Sequence, residues 1–457
     1  SKYVDPVSGN EVVQLTSTRK WNVHPTYHVN GFLDDQRIVF AAEAEGATNI
    51  YVCSLVAGEI TQLTAGIGTS YLLAYLAGER GDGRGTDAFH IVAGYSSHAV
   101  YFVEGDELRT VNADTLEEES LYRIGPEWVC GVLELSGDEQ TVLLPLLPRE
   151  CFNTRGDLAE FLRRTDRLAL SSRLVGVSVG DGRSQVLWED AGRFIGHAAF
   201  SPVSDRLVLC ERATDPDRRD EPLLWLLKLE DEEAIPFPTR NPKTGHSVWL
   251  PDGTGVVTHG MVVDGGREHG AEYIQILNLD TSTRWIGYHG PPRYYGHCHT
   301  TPDGQTIIVD GVFAPDQITA VTPHGDGYFT EPICVHGTDS SGGQRAHAHP
   351  HVSPNGEWLV FGSLRGGRKD LFAVRVKGLA KDEELTRFNP LRRAFHRDCK
   401  HGQEGIGRVF RQPVQPDAIS FLFHAHLAIS AHTLADTTRF FSHANLNVGP
   451  CHRIAAM

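Results

Sequence analysis

His246-Ser247-Val248-Trp249-Leu250-Pro251-Asp252-Gly253 leads into Gly255-Val256-Val257-Thr258: a short apolar run, a tight turn, then a second β-rich run. Turn residues between β-branched and aromatic runs are the chemistry of a β-hairpin. Working outward, the same arrangement recurs at Ser201-Pro202-Val203-Ser204-Asp205, Pro302-Asp303-Gly304 and Pro354-Asn355-Gly356, with successive prolines 49, 51 and 52 residues apart. Each turn is followed by a strand-like run: Arg206-Leu207-Val208-Leu209, Gln305-Thr306-Ile307-Ile308-Val309 and Glu357-Trp358-Leu359-Val360-Phe361. Softer copies lie upstream at Leu33-Asp34-Asp35, Tyr95-Ser96-Ser97 and Ser136-Gly137-Asp138. That makes seven units, each long enough for a four-stranded sheet and none able to bury both faces alone. The expected fold is all-β, a seven-bladed β-propeller over residues 1–380. An array of β-sandwiches is the alternative, but it gives no reason for so even a period.

Two stretches depart from the repeat. Residues 146–172, with Asp157-Leu158-Ala159-Glu160-Phe161-Leu162-Arg163-Arg164, carry the pattern of a short inserted helix. Residues 381–457 show no further turn of this type and are expected to form a C-terminal extension. Cys399, Cys451 and the histidines of that tail lack the ligand spacing of a zinc finger.

Charge and composition remove several function classes. A formal charge of −16 over 457 residues is unsuited to a surface that holds nucleic acid or an anionic membrane, and neither is expected as a partner. An anionic substrate therefore needs a local cationic pocket. There is no apolar stretch of membrane-spanning length, and Ser1-Lys2-Tyr3-Val4-Asp5 has no apolar signal core. Eight cysteines without a CxxC pair read as buried free thiols in a reducing compartment, so a cytoplasmic location is expected. Gly176-Val177-Ser178-Val179-Gly180 matches the serine-hydrolase pattern, but Asp181-Gly182 makes a turn where a nucleophile elbow needs a helix.

The histidines follow the repeat. His197, His246, His297 and His349 each stand five residues before the turn proline of their unit, and His28 and His90 stand at the same offset before Leu33 and Tyr95. In a propeller the innermost strands line the axis, so equivalent positions of separate blades converge there. In Gln344-Arg345-Ala346-His347-Ala348-His349, the two imidazoles two residues apart on an extended segment face the same side, within reach of the Gln344 amide. His297, His347, His349 and Gln344 thus form a neutral ligand set suited to a divalent first-row cation such as manganese, with zinc, nickel and cobalt also compatible.

These segments resemble the oligogalacturonate lyases, cytoplasmic seven-bladed propellers that act on short pectin fragments. The resemblance runs over about residues 3–378. It is carried by Tyr3-Val4-Asp5-Pro6, Gly125-Pro126-Glu127-Trp128-Val129, Gly196-His197, the stretch quoted at the outset, Val309-Asp310-Gly311 and the Gln-x-x-His-x-His of residues 344–349. It implies a manganese ion held by His297, Gln344, His347 and His349, with His246 as the catalytic base. It also implies an arginine just before an aromatic residue, but here Leu223-Leu224 precede Trp225. Arg219, Arg218 and Arg212 are the nearby replacements, with Arg219 expected to assist catalysis and Arg218 and His197 to contact substrate. The expected reaction is metal-dependent β-elimination on a uronic-acid oligosaccharide. Another uronate, such as ulvan, and a non-catalytic binding propeller are the competing readings.

Overall fold

A computed structural model describes residues 1–376 except 20, 45–46, 66–90, 153–157, 214, 216, 219–220, 240, 242–245, 265–266, 290–294, 312–315 and 339–346. The expected extension, residues 381–457, lies outside the described residues.

Seven antiparallel sheets follow one another along the chain. Blade 1 contains Trp21–Val23, Arg37–Ala44, Ala47–Ser54 and Ile60–Gln62. Blades 4, 5 and 6 begin at Phe194–Ser201, Val248–Trp249 and Tyr295–Thr300, respectively. Each repeated turn joins the first strand of a blade to the second, where the sequence pattern puts it. Blade 7 is built from both ends of the propeller: His351–Val352, Trp358–Ser363 and Asp370–Arg375 are completed by Glu11–Gln14 and Lys2–Val4. Val12 pairs with Val374, Val13 with Ala373 and Gln14 with Phe372, closing the ring through the backbone ladder.

Side chains alternate across each strand, so every blade feeds two cores. Val39 and Ala41 face blade 2 with Ile91, Val100 and Phe102. Ile38, Phe40 and Ala42 face blade 7 with Val360, Leu371 and Ala373. Equivalent apolar layers separate the remaining neighbours around the ring. This accounts for the nearly continuous apolar runs of the central strands.

The inserted helix forms over Leu158–Arg167. Its Leu162 packs with Leu147, Phe194, Ala213 and Leu223, between blades 3 and 4. Ser178 ends the strand Ser171–Ser178 and is followed by a turn, as expected for a structural serine. Cys53, Cys130, Cys210, Cys298 and Cys334 are free and buried. Among the described residues, no helix is long and apolar enough to cross a membrane.

Candidate metal centre and general base

The in-register histidines sit where the first strand of a blade is distorted. His197, His246 and His349 have φ of 43°, 53° and 44°, a left-handed conformation that histidine adopts more readily than most residues. Bulges interrupt pairing between Gly196 and Ala199 and between Tyr295 and Cys298, flanking His197 and His297. A bulge re-aims a side chain that a regular strand would send into an inter-blade core. Non-glycine residues held at positive φ cost on the order of 1–3 kcal/mol each and concentrate at functional sites.

The imidazoles gather around one ring. Tyr27, buried on the axis, lies 5.0 Å from His28, 5.7 Å from His197, 5.4 Å from His246, 5.0 Å from His297 and 6.1 Å from His349, centroid to centroid. Residues from blades 1, 4, 5, 6 and 7 therefore meet at one place, as the register predicts.

His297, His347 and His349 are buried, and each offers a ring nitrogen within 4.8 Å of those of the other two. Asp310, on the neighbouring strand, accepts the His297 backbone N–H at 2.6 Å and its Nδ1–H at 2.9 Å. That tautomer turns the His297 Nε2 lone pair away from the carboxylate, the arrangement that supports a histidine metal ligand. Burial pushes all three imidazoles well below the ordinary range, and neighbouring histidines together with the Lys369 ammonium add to the shift. Neutral, converging nitrogens are what a cation requires, so the donor set fits a divalent first-row ion. Lys369, also buried, donates its ammonium to the His347 carbonyl. It reaches there past Gly362, where a Cβ would fall 2.2 Å from Lys369 Cε.

His246 lies beside this triplet, its ring 4.9 Å from that of His297. Its Nδ1 donates to the Gly296 carbonyl at 2.8 Å, which leaves the proton-accepting lone pair on Nε2. Its backbone N–H donates to Glu211 at 3.0 Å. Glu211, His197 and His246 make a second convergent group, again with donor atoms within 4.8 Å of one another. Behind it, His28 Nε2 is 3.1 Å from His197 Nδ1, and His28 Nδ1 is 3.4 Å from Glu134.

The other predicted positions are distributed differently. Gln344, Arg219 and His90 lie outside the described residues. Arg218 pairs with Asp166 at 2.9 Å and with Glu221 at 3.2 Å, tying the segment to the inserted helix. Arg212 grips Asp190 with two bonds of 2.5 and 3.0 Å and stacks on Trp225 at 4.3 Å. Cys298 points into the core between blades 5 and 6, away from its histidine neighbour. Tyr27, Asp310, Glu211 and Lys369 were not singled out as site residues from sequence. Asp310 alone carried a signal, standing in Val309-Asp310-Gly311.

This histidine cluster makes stability pH-dependent. Burial lowers His28 to about 4 and His197 to about 3 from 6.5, and it does the same to two nearby histidines, His259, whose ring is 6.1 Å from that of His246, to about 3, and His24, packed against His351, to about 4. Between these values the unfolded chain takes up protons that the folded chain refuses. Stability is thus fully present above pH 6.5 and drains as pH falls toward 4, each histidine adding a slope of about 1.4 kcal/mol per pH unit. Urea midpoints measured from pH 7.5 down to 5 should fall steeply; a flat profile would refute the buried neutral cluster.

Strand order and axial histidines together define the class, a seven-bladed propeller with a buried imidazole centre. Within that class the chain belongs to the oligogalacturonate lyase family, whose sequence model matches residues 1–319 and so takes in His197, His246 and His297. It is 21% identical over 401 residues to an oligogalacturonide lyase of Pectobacterium atrosepticum, covering 82% of this chain and 95% of the relative. An oligogalacturonate lyase of Dickeya dadantii is 20% identical over 400 residues, with the same coverage. Among solved structures, an oligogalacturonate lyase in complex with manganese superposes with a TM-score of 0.68 at 20% identity, over 83% of this chain and 97% of that one. The oligogalacturonate lyase of Vibrio parahaemolyticus gives the same TM-score, identity and coverage. These structural likenesses support the propeller fold.

Proposed function

We propose that this chain is a divalent-cation-dependent lyase that cleaves short oligogalacturonides by β-elimination, with residues 1–380 as its catalytic unit. The observation that carries the reading is the meeting of His297, His347 and His349 beside an imidazole, His246, whose tautomer presents Nε2 as a base. His297, His347 and His349 would hold the cation, with Gln344 completing the set; manganese suits this neutral donor group and is present in the related lyase structure. When bound, the cation draws negative charge from the uronate carboxylate and makes the proton on C5 more acidic.

His246 Nε2 then takes that proton. The electrons of the C5–H bond form the C4–C5 double bond, the C4–O4 bond breaks toward oxygen, and the departing O4 takes a proton from water or from His197. The Gly296 carbonyl, accepting from Nδ1, steadies the positive imidazolium that results. Asp310 keeps the His297 ring in its ligating orientation throughout. Arg219 is the arginine assigned to assist at the substrate carboxylate, and His197 is assigned to contact the sugar. Arg218, already committed to Asp166 and Glu221, is left out of the site. The buried free thiols support a cytoplasmic setting.

Incubating the manganese-loaded protein with di- and trigalacturonate tests the reading directly. The unsaturated product is conjugated, so ultraviolet absorbance should rise, stop on chelation and resume when manganese is returned. Metal-loaded protein that produces no rise with either substrate would end the proposal.

A further inference from the structure

We infer that His197, Glu211 and His246 form a second divalent-cation site, distinct in chemistry from the three-histidine centre, and that filling it silences the base. The silencing rests on the proposed role of His246; the site itself does not. Two imidazoles and one carboxylate converge with donor atoms within 4.8 Å of one another. That combination, two histidines and a glutamate with room for a further ligand, is one of the sets that hold zinc in enzymes. The neighbouring group carries no charge, whereas this one brings a carboxylate.

Glu211 supplies the independent argument. It is buried, with 8% of its surface exposed, and among the described residues no lysine or arginine pairs with it. Its side chain accepts the His246 backbone N–H at 3.0 Å, which leaves most of the carboxylate's hydrogen-bonding capacity for another positive group. A buried carboxylate is costly without a compensating charge. A dication between the two imidazoles would provide that charge.

The frame around the three ligands is rigid. His246 is held through Nδ1 by Gly296 and through its backbone by Glu211. His197 is backed by His28, which leans on Glu134 in turn. Outer partners of this kind orient metal ligands and raise affinity. Among first-row ions zinc binds such nitrogen and oxygen donors more tightly than manganese, so zinc is the ion expected to fill the second site.

Sharing His246 gives the second site its consequence. A zinc ion there uses the same Nε2 lone pair that would take the C5 proton, so excess zinc should act as an inhibitor rather than an activator.

Metal-stripped full-length chain is dialysed against buffered zinc, and bound zinc is counted by elemental analysis in wild type, Glu211→Gln and His197→Asn. Glu211→Gln keeps an oxygen for the His246 N–H but loses the charge; His197→Asn tolerates the left-handed backbone and serves if the first variant fails to fold. Wild type should retain one more zinc per chain than either variant, with affinity at that site lowered by at least about 100-fold, beyond the ~10–100-fold lost with an outer partner. Equal zinc counts in all three proteins would overturn the site. No substrate enters this count, so it stands apart from the lyase assignment. In the elimination assay, zinc beyond the first equivalent should suppress wild-type turnover while the residual turnover of Glu211→Gln resists it. An extra zinc that leaves wild-type turnover unchanged would overturn the silencing.

Discussion

Replacing His246 with alanine is expected to lower kcat on digalacturonate by about 10²–10⁴-fold, the usual worth of a positioned base, or about 3–5 kcal/mol of barrier. Manganese content should be unchanged, because His246 is outside the ligand triplet although its ring stands 4.9 Å from that of His297. His246 holds φ of 53°, so His246→Asn is the companion variant: asparagine tolerates this backbone and brings no base. Both variants should lose turnover alike. A His246→Ala protein with undiminished kcat would remove the base from the mechanism, whereas lost activity accompanied by lost manganese would move His246 into the ligand set.

Replacing His347 with alanine should separate the metal from the base. It leaves two of the three converging imidazoles and withdraws a buried nitrogen that no described neighbour replaces. Manganese affinity should fall by more than about 100-fold, with turnover lost at limiting manganese and partly recovered at high manganese. Asp310→Asn gives the milder form of the same defect. Asparagine offers one oxygen where the carboxylate accepts twice, from the His297 backbone N–H and from its Nδ1–H, and it brings no negative charge, so the expected loss is about 10–100-fold in affinity. If His347→Ala binds manganese as tightly as wild type, the cation is held elsewhere.

Much of the architecture was legible because it is written locally. Pro251-Asp252-Gly253 and its copies are hairpin turns whose chemistry needs only adjacent residues, and their spacing counts the blades. The shared offset of His197, His246, His297 and His349 follows from the same repetition, and it led directly to one axis.

What stayed hidden depends on contacts between distant segments. Glu11–Gln14 pairs with Asp370–Arg375 across almost the whole propeller, and nothing near either strand announces the other. Tyr27 has no counterpart in the other repeats, yet it occupies the centre on which five histidines converge. Lys369 passes over residue 362, a glycine, on its way to the His347 carbonyl, a fit that exists in space and leaves no motif. The left-handed backbone at three of the histidines was equally invisible, since no turn signature marks those positions.

Catalysis as proposed depends on a cation seated among imidazoles contributed by separate blades. Crystals grown with manganese and measured on both sides of its absorption edge would locate that ion by anomalous difference. The predicted result is a peak shared by His297, His347 and His349, with His246 beside it and outside bonding distance. No peak at that triplet under saturating manganese, or a peak only elsewhere in the chain, would contradict the account.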